Sequence, residues 1–210
     1  MLITFEGSDG SGKTTQIRRL KQKLEEMGRK VLVTREPGGT PMAEQIRDLL
    51  LEMREETVYG ETEMYLYAAA RSQHTREVIR PALSQGFVVL SDRYIDSSLV
   101  YQGVGRKLGM ERVRQHNEAA VGDVWPVRTY LLDVGDETSR QRMNGRVQNP
   151  DRLEQENAAF HRTIREGYLA LQRREPERIR LIDASQTPDQ VAEAIWSDLR
   201  VLMSGKKEPS

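Results

Sequence analysis

Eight residues near the start of the chain, Gly7-Ser8-Asp9-Gly10-Ser11-Gly12-Lys13-Thr14, restrict the fold more than any other stretch. They fit the spacing G-x-x-x-x-G-K-[ST] without a mismatch. They lie between an apolar run, LITF at 2–5, and a segment in which Leu20, Leu24 and Met27 share a helical face. A glycine-rich turn between strand and helix lets backbone N–H groups converge on an anion, and the helix N-terminus adds its dipole. In such a loop Lys13 reaches the β- and γ-phosphates of a nucleoside triphosphate, and the Thr14 hydroxyl ligates Mg2+. The expected nucleotide-binding set is Gly7, Ser8, Asp9, Gly10, Ser11, Gly12, Lys13, Thr14 and Thr15. Asp9 is the anomaly, a carboxylate inside an anion cradle.

The remaining apolar runs of strand length are KVLVT at 30–34, FVVLS at 87–91, RTYLLD at 128–133 and RIRLID at 178–183. Helical patterning fills the intervals. Ala43, Ile46, Leu49, Leu50 and Met53 share one face; Met64, Leu66, Tyr67, Ala70 and His74 open a helix running to Leu83; others fall at about 109–121, 136–143, 154–174 and 187–203. Strands alternating with helices predict an α/β fold, a five-stranded, mostly parallel sheet flanked by helices on both faces. No linker or repeat divides the chain, so one domain over 1–204 is expected. The polar stretch MNGRVQNPDR at 143–152 reads as a loop interrupting the helical pattern, and residues 205–210 read as a disordered tail.

Composition narrows the chemistry. The 210 residues include no cysteine, which excludes disulfides, thiolate catalysis and thiolate metal sites. Lysine plus arginine and aspartate plus glutamate both number 32, so no global field favours nucleic acid or an acidic membrane, and neither is an expected partner. Only seven of the basic residues are lysine; the arginine excess suits bidentate phosphate recognition. No apolar run approaches the ~18 residues of a membrane span, and no leader-like segment precedes the loop, which predicts a cytoplasmic protein. The lysines after Lys30 are Lys107, Lys206 and Lys207, and none sits in the Asn/Thr-Lys-x-Asp motif of guanine switches.

Three further stretches handle charge. SDRY at 91–94 closes an apolar strand, where Asp92 would join Thr14 around magnesium and Arg93 would point into the same cleft. Alone it reads equally well as a structural Asp–Arg pair; beside a phosphate loop the functional reading is expected. TREPGGTP at 34–41 places Arg35 and Glu36 at a strand's carboxyl end, where open α/β sheets bind ligands, or else forms a turn with solvated charges. Arg140, Arg142, Arg146 and Arg152 cluster on and beside the polar loop. Singly each reads as a solvated helix end; together they suggest a lid, about 140–153, that brings arginines onto transferring phosphates. His74, His116 and His161 have no ligand spacing and no expected chemistry, and Met64 reads as core.

The ordered blocks FEGSDGSGKTTQ, TREPGGTP, IRDLLL, AAARSQH, VIRPAL, SDRYIDSSLVYQG, DRLEQE and IDASQ resemble the bacterial thymidylate kinases over about 1–200. The resemblance implies a phosphate-loop nucleoside monophosphate kinase fold, ATP as co-substrate with Mg2+, transfer to dTMP, and a homodimer in many members. It implies that Arg93 grips the dTMP phosphate, that Arg71 reads the thymine edge, that Ser98 and Gln102 line the base and sugar pocket, and that Tyr101 crowds the 2′ position. Tyr67 stands where many members stack a phenylalanine on thymine, unless it packs in the core. Glu36 would lie near the acceptor sugar and phosphate, Asp151 and Glu154 in the lid-end block, and the backbone at Ala184–Gln186 near adenine. Ala70, Leu153 and Tyr67 depart from the common pattern. The expected catalytic set is Lys13, Arg93, Arg146 and Arg142.

The resemblance also gives Asp9 a direction. Backbone amides do the cradling, so its carboxylate is free to face the acceptor, accepting from the sugar 3′-hydroxyl of dTMP or from magnesium-bound water. Gly10 stands where some members carry a catalytic arginine, so the missing charge is expected from the lid. The alternatives are another nucleoside monophosphate kinase or a nucleotide-dependent regulatory protein.

Overall fold

The structure, a computed structural model, describes residues 1–53, 55–135, 138, 139, 142 and 151–205. Five strands form one sheet: β1 (Leu2–Glu6), β2 (Val31–Arg35), β3 (Val88–Asp92), β4 (Arg128–Asp133) and β5 (Ile179–Asp183). Their order is β2-β3-β1-β4-β5, and every pairing is parallel rather than most of them. The central strand LITFE is buried throughout, as expected of a strand covered on both faces, whereas the edge strands β2 and β5 have exposed positions.

The pleat assigns β1 to two cores. Ile3 and Phe5 pack with Leu90, Tyr130 and Leu132 against Ile17, Leu20 and Leu24 of α1 (Lys13–Glu26), and against Val191, Ile195 and Leu199 of the last helix. Leu2 faces the other way, onto Val89, Ile79, Ile95 and Val121. Leu131 of β4 joins Met64, Val100, Ile164 and Tyr168 in a third cluster on that second side. The helices concerned are α2 (Pro41–Leu51), α3 (Gly60–His74), α4 (Arg80–Ser84), α5 (Ile95–Ser98), α6 (Met110–Val121), α7 (Ala158–Arg174) and α8 (Pro188–Ser204).

Three local expectations are corrected. The helix expected from Met64 to Leu83 is broken: α3 passes through a π-helical turn, Thr75–Ile79, before α4. Pro81 has no N–H to donate one turn back and its ring crowds that carbonyl, so the ladder shifts register there. The helix expected from 154 begins at Ala158, where Asn157 accepts from the Phe160 N–H; Asp151 instead caps the backbone of Leu153 and Glu154 in a preceding turn. Leu49 on α2 and Met53 just beyond it are exposed, and within α2 only Ala43 and Leu50 are buried. Of the helix expected at 136–143, only residues 138, 139 and 142 are among the described residues, and these are helical; the tail from 206 lies outside them.

All five strands run the same way, so their carboxyl ends share one edge of the sheet. β1, β3, β4 and β5 end there in Glu6, Asp92, Asp133 and Asp183. The order reverses around β1, the topological position at which open α/β sheets hold ligands. Among the described residues no helix is long and apolar enough to cross a membrane.

The start of α8 carries a full capping box, Thr187 accepting from Gln190 N–H and Gln190 accepting from Thr187 N–H. Replacing Thr187 by Ala should lower unfolding free energy by about 1 kcal/mol in urea denaturation, with an unchanged midpoint showing that the cap is dispensable.

Candidate active site

The loop from Gly7 to Thr14 joins β1 to α1 at that edge. Gly7 sits at φ 130, and a Cβ there would lie 2.4 Å from the Leu132 carbonyl oxygen, so β4 leaves room for glycine alone. Lys13 Nζ donates to the carbonyls of Gly7 and Ser8, both at 3.1 Å, which holds the ammonium over the loop. Burial and the Arg93 charge lower its pKa, against Asp9, Asp92 and Glu6. Thr14 Oγ1 donates to Asp92 Oδ2 at 3.3 Å, so the two expected metal-shell residues meet.

Asp9 does not point into the cradle. Its Oδ1 accepts from Arg93 Nη2 at 2.7 Å and lies 3.7 Å from Lys13 Nζ. Burial alone would raise its pKa, but the Arg93 and Lys13 charges hold it well below the usual carboxylate range. Arg93 has a left-handed backbone, φ 68, a conformation that strains a side-chain-bearing residue by about 1–3 kcal/mol. Two bonds hold it: Arg93 N–H to the Phe5 carbonyl at 2.9 Å, and Ser91 Oγ to the Arg93 carbonyl at 2.7 Å. The turn aims the guanidinium back across the end of β1, where Nη1 also donates to Ser97 Oγ and the Tyr168 hydroxyl. The Tyr101 ring lies 5.3 Å below it.

Two clefts meet at this pair. One, walled by Gly10, Gly12, Lys13, Thr14, Thr15 and Asp92, lies over the loop. The other is lined by Tyr67, Arg71, Ser98, Tyr101, Gln102 and Leu153 among others, a mix of aromatic and polar side chains. Asp9, Glu36, Arg47, Arg93 and Glu154 border both.

The expected residues of the second cleft are brought together, but several face inward. Arg71 is buried, and four of its five N–H donors are occupied: Nε on Glu36 at 2.7 Å, both on Nη1 by Ser98 and the Asn117 amide oxygen, and one on Nη2 by the Tyr94 carbonyl. Glu36 is likewise engaged, by Arg71 and by His74 Nδ1 at 2.9 Å, and His74 Nε2 meets Thr34 Oγ1 at 2.7 Å. His74 is thus a satisfied buried histidine. Burial pushes the Tyr101 hydroxyl up to about 12 and raises Tyr67 further; Tyr67, which the resemblance set against thymine or the core, is buried on the cleft wall. Ala70 is buried and off the wall. Above the loop, Arg142 Nη1 and Nη2 donate to the Ala184 carbonyl at 3.2 Å, and Nη1 approaches the Gly10 carbonyl at 3.5 Å. Arg140 and Arg146 lie outside the described residues.

Four contributors went unread in the sequence. Arg47 of α2 borders both clefts and donates to the Pro37 carbonyl at 2.9 Å. Glu6, Ser97 and Tyr168 form a buried cluster behind Arg93, with Ser97 Oγ 2.6 Å and Tyr168 Oη 2.9 Å from Glu6 Oε2 and 2.9 Å from each other. Glu6, the one charged residue in a fully buried strand, is a readable signal; Tyr168 stands 162 positions away and gives none.

The fold, the loop and the paired clefts define a phosphate-loop enzyme of the nucleoside monophosphate kinase class. The thymidylate kinase family profile matches residues 5–195. The thymidylate kinase of Nitratidesulfovibrio vulgaris is 44% identical with all of both chains covered, and that of Syntrophotalea carbinolica is 50% identical over 92% of each. The crystal structure of thymidylate kinase from Ehrlichia chaffeensis superposes with a TM-score of 0.78 at 31% identity, covering 95% of this chain and 98% of that one. The chain belongs to the thymidylate kinase family.

Burial, and then Asp96, pushes Glu6 from its ordinary 4.5 up to about 7, against Arg93, Ser97 and Tyr168, which lower it. Three contacts among three oxygens need three protons; the two hydroxyls supply two and a protonated Glu6 the third. The folded chain therefore keeps a proton that the unfolded chain releases between pH 4.5 and about 7. The resulting stabilisation is complete below the lower value and is lost as pH rises through the upper one. Glu6→Gln should flatten that part of the stability profile in denaturation series at stepped pH, and an unchanged slope would count against it.

Proposed function

We propose that the protein transfers the γ-phosphoryl group of ATP to dTMP, giving ADP and dTDP, within one domain over residues 1–204. The observation carrying this reading is the Arg93–Asp9 pair standing where the loop cleft and the second cleft join. Donor phosphates lie along Gly7–Thr15, with the base near Ala184–Gln186, a turn that Asp183 braces through Ser185 and Gln186. The dTMP phosphate meets Arg93, and its base lies toward Tyr67, Arg71, Ser98, Tyr101 and Gln102.

Phosphoryl transfer asks mainly for positioning and charge stabilisation. The acceptor oxygen is already an anion at neutral pH, so no strong general base is needed. Arg93 holds it in line, and Asp9 holds Arg93 between donor and acceptor. Lys13 and the lid arginines Arg146 and Arg142 offset charge on the group in transit. Arg142, through Gly10 and Ala184, is already on the donor side. Thr14 and Asp92 suit Mg2+, which takes few protein oxygens and completes its shell with water and phosphate. When bound, the ion would neutralise phosphate charge. Asp92 adjoins Thr14 in a cleft open to ligand, which fits that requirement. The same reading includes a cytoplasmic homodimer, in which exposed Met42, Leu49, Tyr59 and Tyr65 on and beside α2 and α3 would be covered.

With ATP and Mg2+, ADP release should depend on dTMP far more than on AMP, GMP or UMP, and should stop on chelation. Equal response to other monophosphates, or turnover without an acceptor, would overturn the reading. Asp9→Ala should lower kcat/KM for dTMP roughly tenfold or more, the scale of one charged hydrogen bond, while ATP affinity changes less. Equal losses for both nucleotides would remove Asp9 from the acceptor side.

A further inference from the structure

Glu63, on α3, is fully buried and does not line the second cleft. It is the meeting point of three groups from distant parts of the chain. Its Oε1 accepts from the Gln102 amide nitrogen at 2.7 Å, and its Oε2 from Arg152 Nη2 at 2.7 Å. Arg106 Nε reaches both oxygens at 3.3 Å. Flanked by two guanidiniums, Glu63 is a carboxylate, and a carboxylate only accepts.

That property decides something a side-chain amide cannot decide for itself. The two ends of an amide have the same shape and opposite hydrogen-bonding character. An acceptor-only neighbour leaves one arrangement: the Gln102 nitrogen on Glu63 and its oxygen turned away. The oxygen takes no hydrogen bond from any described residue, and Gln102 lines the cleft. On the same wall, Arg71 retains a single uncommitted N–H, on Nη2. Among the polar groups of the wall, these two supply an acceptor and a donor. A pyrimidine with a ring N–H next to a carbonyl, as in thymine or uracil, complements that pair. Cytosine presents the reverse, a ring acceptor next to an amino group.

We propose that Glu63 is a positioning residue for base selection, which fixes the polarity of the Gln102 amide so that the cleft admits an imide-type pyrimidine and rejects cytosine. This rests on the dTMP reading of the cleft. Rejection follows because the wrong base leaves buried polar groups facing their like.

The test is the ratio of kcat/KM for dTMP to that for dCMP. Glu63→Gln supplies a neighbour that donates as well as accepts, so the amide is free to turn. The ratio should fall roughly ten- to a hundredfold. Arg106→Gln removes a charge partner of Glu63 but keeps the amide contact, and should hold the ratio within about twofold. In a Gln102→Leu background, Glu63→Gln should have no further effect on the ratio, since Glu63 acts through that amide. A ratio unchanged by Glu63→Gln in the folded protein, or equally changed in the Gln102→Leu background, would overturn the proposal. Should Glu63→Gln not fold, the unmutated protein still decides. Its Gln102 side-chain NH2 signals, assigned by their loss in Gln102→Leu, should be protected from hydrogen exchange without dTMP and remain so with it. Free exchange in the unliganded protein would turn the nitrogen to the cleft and refute the idea. Absence of dTMP turnover in the unmutated enzyme would instead refute the reading of the cleft, a distinct result.

Discussion

The ion pair between Arg93 and Asp9, 2.7 Å long, joins the two halves of the site. Asp9 belongs to the phosphate loop after β1, and Arg93 to the turn after β3. These strands are neighbours in parallel register, Phe5 opposite Asp92, so the residue after Asp92 is one hydrogen bond from Phe5. The left-handed backbone at Arg93 then swings the guanidinium over the end of β1 instead of continuing the strand. Sheet register, the left-handed turn and a charge pair act in series to bring the two clefts together at Asp9 and Arg93.

Behind this pair the protein arranges hydroxyls in place of a second full charge. Ser97 and Tyr168 stand between Arg93 and buried Glu6. A proton held on Glu6 leaves Asp9 as the direct counter-charge to Arg93. The second cleft is built likewise. Thr34, His74, Glu36 and Arg71 form one chain of contacts, and Arg71 is further held by Ser98, Asn117 and the Tyr94 carbonyl. Side chains so over-determined lose little further freedom when a ligand arrives, which is the physical content of preorganisation.

The residues readable in the sequence were those whose chemistry is local. The phosphate loop is contiguous, its spacing follows from one turn of backbone, and its neighbours in sequence are its neighbours in space. The strand runs were equally legible to within a residue, because a strand covered on both faces needs an unbroken apolar run. Less legible were the interruptions. The break before α4 arises from one proline within an otherwise helical pattern, and the late start of α7 from an Asn that caps better than the residues before it. Glu36 and Arg71 were read as facing a ligand, and they do border the cleft, yet most of their hydrogen-bonding capacity is turned inward.

The sequence by itself determined the class of ligand, the order of strands and helices, and the family, since a phosphate cradle and a buried parallel strand are both products of short-range pattern. Tertiary structure alone decided where each charge points. Asp9 and Arg93 are 84 positions apart, Glu63 and Gln102 are 39 apart, and Glu6 and Tyr168 are 162 apart. Contacts at such separations come from sheet order and helix packing, and they set which groups remain available to a ligand and which are already engaged.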